Sequence, residues 1–233
     1  MRGIVYKSTG SWYSVKGEQG DMYDARIKGV FRIGDITSTN PLAVGDEVEM
    51  EPESPGSDSA IITEMHERRN YINRQSPRSK HQHHIVAANL DQSMLIATLK
   101  EPRTSQGFID RFLVACEAYH VAAIVVFNKS DIYRKKEQQL YEQWKEMYED
   151  VGYKVVLCST KEATGLEEVK DLLKDKITLL SGHSGVGKSS FINYLLPDLR
   201  LKTQHVSGWS GKGIHTTTFA EMFDLPSGGQ IID

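Results

Sequence analysis

Apolar and polar positions change rhythm once along this chain. Up to about residue 66 the apolar positions come in short alternating or β-rich runs: Gly3–Lys7, Ser11–Lys16, Met22–Lys28, Glu47–Glu51 and Ala60–Met65. Turn-forming stretches separate them, at Ser8-Thr9-Gly10, Gly17 to Gly20, Pro41 to Gly45 and Pro52 to Gly56. Period-two runs bounded by Gly, Pro, Ser and Asp predict strands and tight turns. Five such strands fit a small all-β barrel of the OB type, and an SH3-like barrel fits the same pattern.

From residue 85 the rhythm alternates between strand and helix. Ile85–Ala88, Met94–Thr98, Ala122–Phe127, Tyr153–Leu157 and Lys176–Leu180 are short apolar runs and read as buried strands. Between them, Phe108–Tyr119, about Lys135 to Glu149, and Gly165 to about Asp175 carry helical spacing, as does Ser190–Leu196, which stops before Pro197. Strands alternating with helices predict an α/β fold with a mostly parallel sheet covered on both faces. The expected division is a barrel at 1–66, a linker at 67–84 and an α/β domain at 85–233.

The linker is expected from charge. Residues 1–65 hold six Lys and Arg against eleven Asp and Glu, whereas residues 66–84 hold Arg68, Arg69, Arg74, Arg78 and Lys80 against Glu67 alone. Phosphate backbones are bound by Lys and Arg, so these five are the candidate RNA contacts, with a solvated linker as the plainer alternative. Trp12, Tyr13, Tyr23 and Phe31 are either stacking platforms for bases or barrel core. His81, His83 and His84 lack a partner at metal-ligand spacing. Across the whole chain the formal net charge is −3, which predicts no general nucleic-acid affinity. The two cysteines, Cys116 and Cys158, fall in apolar runs and suggest neither a disulfide framework nor a zinc site. No apolar run approaches membrane-spanning length, and the start is not a signal peptide, so a cytoplasmic protein is expected.

The chemistry lies in three loops. Gly182-His183-Ser184-Gly185-Val186-Gly187-Lys188-Ser189 fits G-x-x-x-x-G-K-[ST], placed between a strand and a helix that includes Ser190. Its glycines let backbone N–H groups approach phosphate oxygens, Lys188 is expected at the β- and γ-phosphates, and Ser189 at Mg²⁺. Asn128-Lys129-Ser130-Asp131 fits N-K-x-D. The Asp131 carboxylate can accept from guanine N1–H and the 2-amino group, Asn128 can face the O6/N7 edge, and the Lys129 stem can lie along the ring. Adenine offers neither donor, which argues against an ATP-using kinase. Ser159-Thr160-Lys161 follows a strand and stands where guanine-nucleotide proteins place an S-A-K loop. All three follow strands, so they should face one crevice.

Their order is unusual. N-K-x-D and S-T-K precede the P-loop, and Thr216-Thr217-Thr218 and Ile231-Ile232-Asp233 follow it. Ordinary small GTPases begin with the P-loop, so this is a circular permutation. Across its whole length the chain resembles the bacterial ribosome small subunit-dependent GTPase A family. The resemblance implies a slow GTPase that uses GTP/GDP and Mg²⁺, assists small-subunit maturation through 16S rRNA, and has an OB domain at its start. It implies Mg²⁺ ligands at Ser189, a switch threonine (Thr217 favoured) and Asp233 through a water. It also implies a continuation past Asp233, through D-x-P-G into a zinc-binding domain, so zinc is expected only there and the present chain is expected to bind nucleotide but hydrolyse it poorly. No water-positioning glutamine is visible. His215 is the candidate for that role, with an ordinary loop histidine as the alternative. A monomer is expected. The competing reading is a guanine-nucleotide-gated binding module with negligible turnover and a protein partner, which the acidic barrel favours.

Overall fold

A computed structural model of the chain describes residues 1–27, 41–75, 83–199 and 220–233. It divides into two compact units at Leu90 and Asp91, with short C-terminal stretches returning to the first.

In the first unit, β1 (Arg2–Ser8), β2 (Tyr13–Gly17), β3 (Met22–Ile27), β4 (Glu47–Pro52) and β5 (Ser59–Met65) close into a barrel in the order β1-β2-β3-β5-β4. The pairings are antiparallel except β3 with β5. This is the OB-type arrangement, and closure leaves no exposed sheet edge. Alternate residues point inward, so Val5, Val15, Ala25, Val48, Met50, Ala60 and Ile62 form the core with Tyr13 and Leu42. Tyr13 is therefore core rather than a base platform, and Tyr23 packs against the same cluster. Trp12, at the β1–β2 turn, is half-exposed. Phe31 lies outside the described residues.

The stretch expected as a linker is not simply extended chain. Its residues Tyr71–Gln75 form β6, which pairs antiparallel with β7 (His83–Ala88) in a separate two-stranded sheet. The strand expected at Ile85–Ala88 thus pairs with this segment and not with the α/β sheet. The next residues are tied to the same unit: the Asn89 side chain donates to the Gly45 carbonyl at 2.9 Å, and Asn70 donates to the Leu90 carbonyl at 2.9 Å. Unpaired strand hydrogen-bonding groups are costly to bury, which explains why this run takes the nearest available partner.

Arg68 departs from its expected role. Its Nε and Nη2 each lie 2.6 Å from an Asp46 carboxylate oxygen, Asp46 is fully buried, and Nη2 also donates to the Pro41 carbonyl at 3.3 Å. A guanidinium committed to a buried carboxylate is not offered to an RNA phosphate. Arg69 donates its backbone N–H to Asn89 Oδ1 at 2.8 Å and its Nη2 to the Asn89 carbonyl at 3.0 Å. Arg74, on β6 opposite His84, is exposed. Arg78, Lys80 and His81 lie outside the described residues.

The second unit follows the alternating pattern: β8 (Gln92–Ala97), α1 (Gln106–Ala118), β9 (Ala122–Phe127), α2 (Lys135–Asp150), β10 (Lys154–Leu157), α3 (Leu166–Leu173), β11 (Ile177–Ser181) and α4 (Lys188–Leu195). Two short strands, β12 (Met222–Asp224) and β13 (Gln230–Ile232), complete a six-stranded sheet ordered β10-β9-β8-β11-β13-β12. The neighbours β10, β9, β8 and β11 run parallel. Every residue of β8 is buried, as a strand covered on both faces requires. On one face, α1 contributes Ile109 and Leu113, and α2 contributes Tyr141, Trp144 and Tyr148, against Leu95, Val125, Phe127 and Val155. The spacing of the three α2 aromatics puts them on one stripe of a helix that is otherwise polar. Each such buried side chain contributes about 1.5–3 kcal/mol, which locks the helices over the strands whose ends carry the loops.

Candidate functional site

Parallel strands end on the same side of a sheet, and here three of them deliver the chemical loops. β11 leads into Gly182–Gly187, β9 into Asn128–Asp131, and β10 into Cys158–Lys161. The glycines are required by geometry. Gly187 sits at φ +102, and a Cβ there would lie 2.3 Å from Asn128 Nδ2. Gly182 sits at φ +146, with a Cβ position 2.4 Å from the Ile96 carbonyl oxygen. Any side chain at either position would meet groups that hold the loops in place.

One amide joins all three loops. Asn128 is 1 % exposed. Its Nδ2 donates to the Val186 carbonyl in the P-loop at 2.9 Å and lies 3.5 Å from Thr160 Oγ1. Its Oδ1 accepts from the Thr160 N–H at 3.1 Å and from the Cys158 thiol at 3.6 Å. The sequence suggested that Asn128 faces a base edge. In the structure both ends of its amide are engaged with protein, because a buried amide between three loops finds partners in each. Burial pushes the Cys158 thiol up to about 12, so it remains a protonated donor and is not a nucleophile.

Asp131 is nearly buried, its side chain 6 % exposed. Its Oδ1 accepts from the Ser159 hydroxyl at 2.7 Å, and the Ser159 oxygen in turn accepts the Glu162 N–H at 3.1 Å. Lys161 Nζ stands 3.8 Å from Asp131 Oδ2 on a largely exposed side chain, a pair of little energetic weight. Lys129 takes the left-handed backbone, φ +65, and its ammonium donates to the Glu101 carbonyl at 2.5 Å. Burial holds that ammonium below the usual lysine range, with Glu101 and Asp131 opposing the shift.

Lys188 opens α4 and folds its ammonium over the P-loop, donating to the Gly182 carbonyl at 2.8 Å and the His183 carbonyl at 3.1 Å. Ser189 and Ser190 occupy the first turn of α4. The His183 ring leaves the loop and packs on Phe108 of α1, with centroids 3.8 Å apart and planes tilted by 35°. Burial, with Lys188 and Arg111 nearby, holds His183 below the usual histidine range, so the ring is neutral at pH 7. Asp233 follows β13 and exchanges backbone hydrogen bonds with Glu221. Thr217 and His215 lie outside the described residues.

Models of two families match the chain: the RsgA N-terminal domain over residues 2–61 and the RsgA GTPase over residues 65–233. The chain belongs to the RsgA GTPase family. A relative from Flavobacterium psychrophilum, named small ribosomal subunit biogenesis GTPase RsgA, is 50% identical over all of this chain and 72% of its own length. One of the same name from Cytophaga hutchinsonii is 49% identical over all of this chain and 76% of its own length. Among solved structures, YjeQ from Thermotoga maritima superposes with a TM-score of 0.77 at 33% identity, covering all of this chain and 73% of that one. YloQ, described as a circularly permuted GTPase, superposes with a TM-score of 0.70 at 28% identity, covering all of this chain and 70% of that one. The permuted order of motifs read from this sequence agrees with that description of YloQ.

Two residues of this RsgA-family site carried no motif signal. Phe108 reads as a helix-face apolar residue, and its contact with the P-loop comes from a segment 75 residues distant. Tyr133 follows N-K-x-D by two residues and bonds to backbone groups only, which no spacing rule marks. Asn128→Ala is expected to lower nucleotide affinity by about 10- to 100-fold, since it leaves the buried Val186 carbonyl and Thr160 N–H without partners. Fluorescent-nucleotide titration with a parallel thermal melt measures this, and an affinity equal to that of the unaltered chain would show that the three loops hold themselves.

Proposed function

We propose that this chain binds GTP, hydrolyses it to GDP and phosphate, and serves maturation of the small ribosomal subunit in the cytoplasm. The observation that carries the nucleotide reading is the Asn128 amide, which ties the P-loop, N-K-x-D and S-T-K loops into one site. Family membership and the names of the relatives support the ribosomal part. The residues suit a nucleotide: the glycines at 182 and 187 take positive-φ turns that let the P-loop backbone pass close to Ile96 and Asn128, and the Lys188 ammonium lies over that loop.

In this reading, water attacks the γ-phosphate in line, with the Lys188 ammonium and the loop N–H groups set against the charge that develops. Asp131 accepts from the guanine edge, and Lys129 and Ser159 hold the base-reading loop around it. Mg²⁺, when bound, neutralises charge on the phosphate oxygens, and Ser189, Thr217 and Asp233 would hold it. Among the described residues no group of three His, Cys, Asp or Glu could hold a metal by itself. His215 would orient the water. Among those residues, no helix is long and apolar enough to cross a membrane.

The second reading, a nucleotide-gated module with a protein partner, draws support from the acidic barrel and from Arg68, which is committed to Asp46. Arg69 and Arg74, with Arg78 and Lys80, remain the basic group proposed to meet 16S rRNA. Steady-state GTP hydrolysis with purified small subunits, and with large subunits as control, separates the two. Stimulation by small subunits alone, with binding that falls steeply as salt rises, is expected. Tight GTP binding with no stimulation by either subunit would favour the module.

A further inference from the structure

The connection from β8 to α1 is folded onto itself. The Thr98 N–H donates to Thr104 Oγ1 at 3.1 Å, the Thr104 N–H donates to the Thr98 carbonyl at 2.7 Å, and the Thr98 hydroxyl donates to the Pro102 carbonyl. This strap meets the N-K-x-D loop at two points. The Tyr133 hydroxyl accepts the Leu99 N–H at 3.0 Å and donates to the Asn128 carbonyl at 2.7 Å. The Lys129 ammonium donates to the Glu101 carbonyl at 2.5 Å.

Both contacts act where the backbone most needs holding. Lys129 adopts a left-handed conformation that a non-glycine residue takes at a cost, so the turn out of β9 relies on its surroundings. Tyr133 is 7 % exposed, and burial pushes its phenol far above the usual range, so it stays a donor at any working pH. Its ring packs in the core beneath α1 and α2, which fixes where the hydroxyl sits. Asp131 lies between the two anchored ends, Asn128 and Tyr133. Its carboxylate can therefore be placed to within the tolerance of a hydrogen bond only while those ends are held.

We propose that Tyr133 is a specificity-determining positioning residue: by bridging Leu99 and Asn128 it sets where Asp131 meets the 2-amino group of guanine. The proposal rests on the guanine reading of N-K-x-D. Tyr133 touches no nucleotide in this scheme, and its effect passes through the backbone of the loop. Tyr133→Phe keeps the ring and its packing and removes both hydrogen bonds.

The test is equilibrium binding of GTP and ITP, which differ only in the 2-amino group, with thermal melts alongside. The unaltered chain is expected to prefer GTP. In Y133F, GTP affinity is expected to fall about tenfold, the weight of one or two buried hydrogen bonds, while ITP falls less, so the preference shrinks. Equal losses for both nucleotides, or none, would leave the preference unchanged and overturn the proposal whatever happens to the melting temperature. A chain that never preferred GTP over ITP would overturn the guanine reading first and the proposal with it. Thr104→Val loosens the strap from its other end. It is expected to shrink the preference in the same direction, and an unchanged preference there also counts against the proposal.

Discussion

Asp131→Asn is expected to weaken GTP binding by about a thousandfold while raising affinity for xanthine nucleotides, since two charge-assisted hydrogen bonds of about 1.5–3 kcal/mol each are lost. Guanine presents two adjacent donors, N1–H and the 2-amino group, and a carboxylate accepts both. An amide offers one acceptor and one donor, which matches the N1–H and C2 carbonyl of xanthine instead. A site built to pair with specific groups can reject a mismatched base by about 10⁴–10⁵, so the switch in preference should be large. Folding should change little. The Ser159 hydroxyl that donates to Asp131 Oδ1 can donate equally to an amide oxygen, and the Lys161 pair is mostly solvated. Competition binding with GTP and XTP measures both sides of the exchange. GTP affinity that survives D131N would show that Asp131 does not read the base.

Arg68→Ala is expected to destabilise the first unit by about 3–5 kcal/mol, the usual result of removing one partner of a buried ion pair. Asp46 is fully buried, and among the described residues its remaining hydrogen-bond partner is the Ala43 N–H at 2.8 Å, which cannot offset a whole charge. Arg68→Lys should fall between the two, because an ammonium cannot reproduce the bidentate fork. Urea unfolding of the whole chain measures the loss. The same variants separate structure from RNA contact. If Arg68 serves the fold, R68A, measured at a temperature where it is still folded, should leave the salt dependence of small-subunit binding unchanged, whereas for Arg74→Ala the slope should fall by about one. A lower slope in folded R68A would return Arg68 to the phosphate contacts.

Much of the architecture was legible because its causes are local. The strand Ala122–Phe127 shows as an uninterrupted apolar run, and α2 shows in the stripe of Tyr141, Trp144 and Tyr148. The P-loop shows because only glycine tolerates the backbone angles at 182, 185 and 187. The barrel strands were readable, but not their order, since period-two alternation says which face is inward and not which strand is the neighbour. The segment after the barrel was read by charge as a linker. Charge is silent on pairing, and the β6–β7 hairpin depends on backbone bonds between residues such as Tyr71 and Ala88.

The sequence by itself determined the fold class, the permuted order of the nucleotide motifs and the identity of the residues that end each strand. Those follow from side-chain periodicity and from steric limits that act over a few residues. Only the tertiary structure decided how the polar side chains are used. Asn128 reaches Val186 across 58 residues, Arg68 finds Asp46 across 22, and Tyr133 joins Leu99 across 34. A buried polar group must pair with whatever the folded chain brings beside it, and what lies beside it is set by the packing of distant strands, which no local pattern encodes.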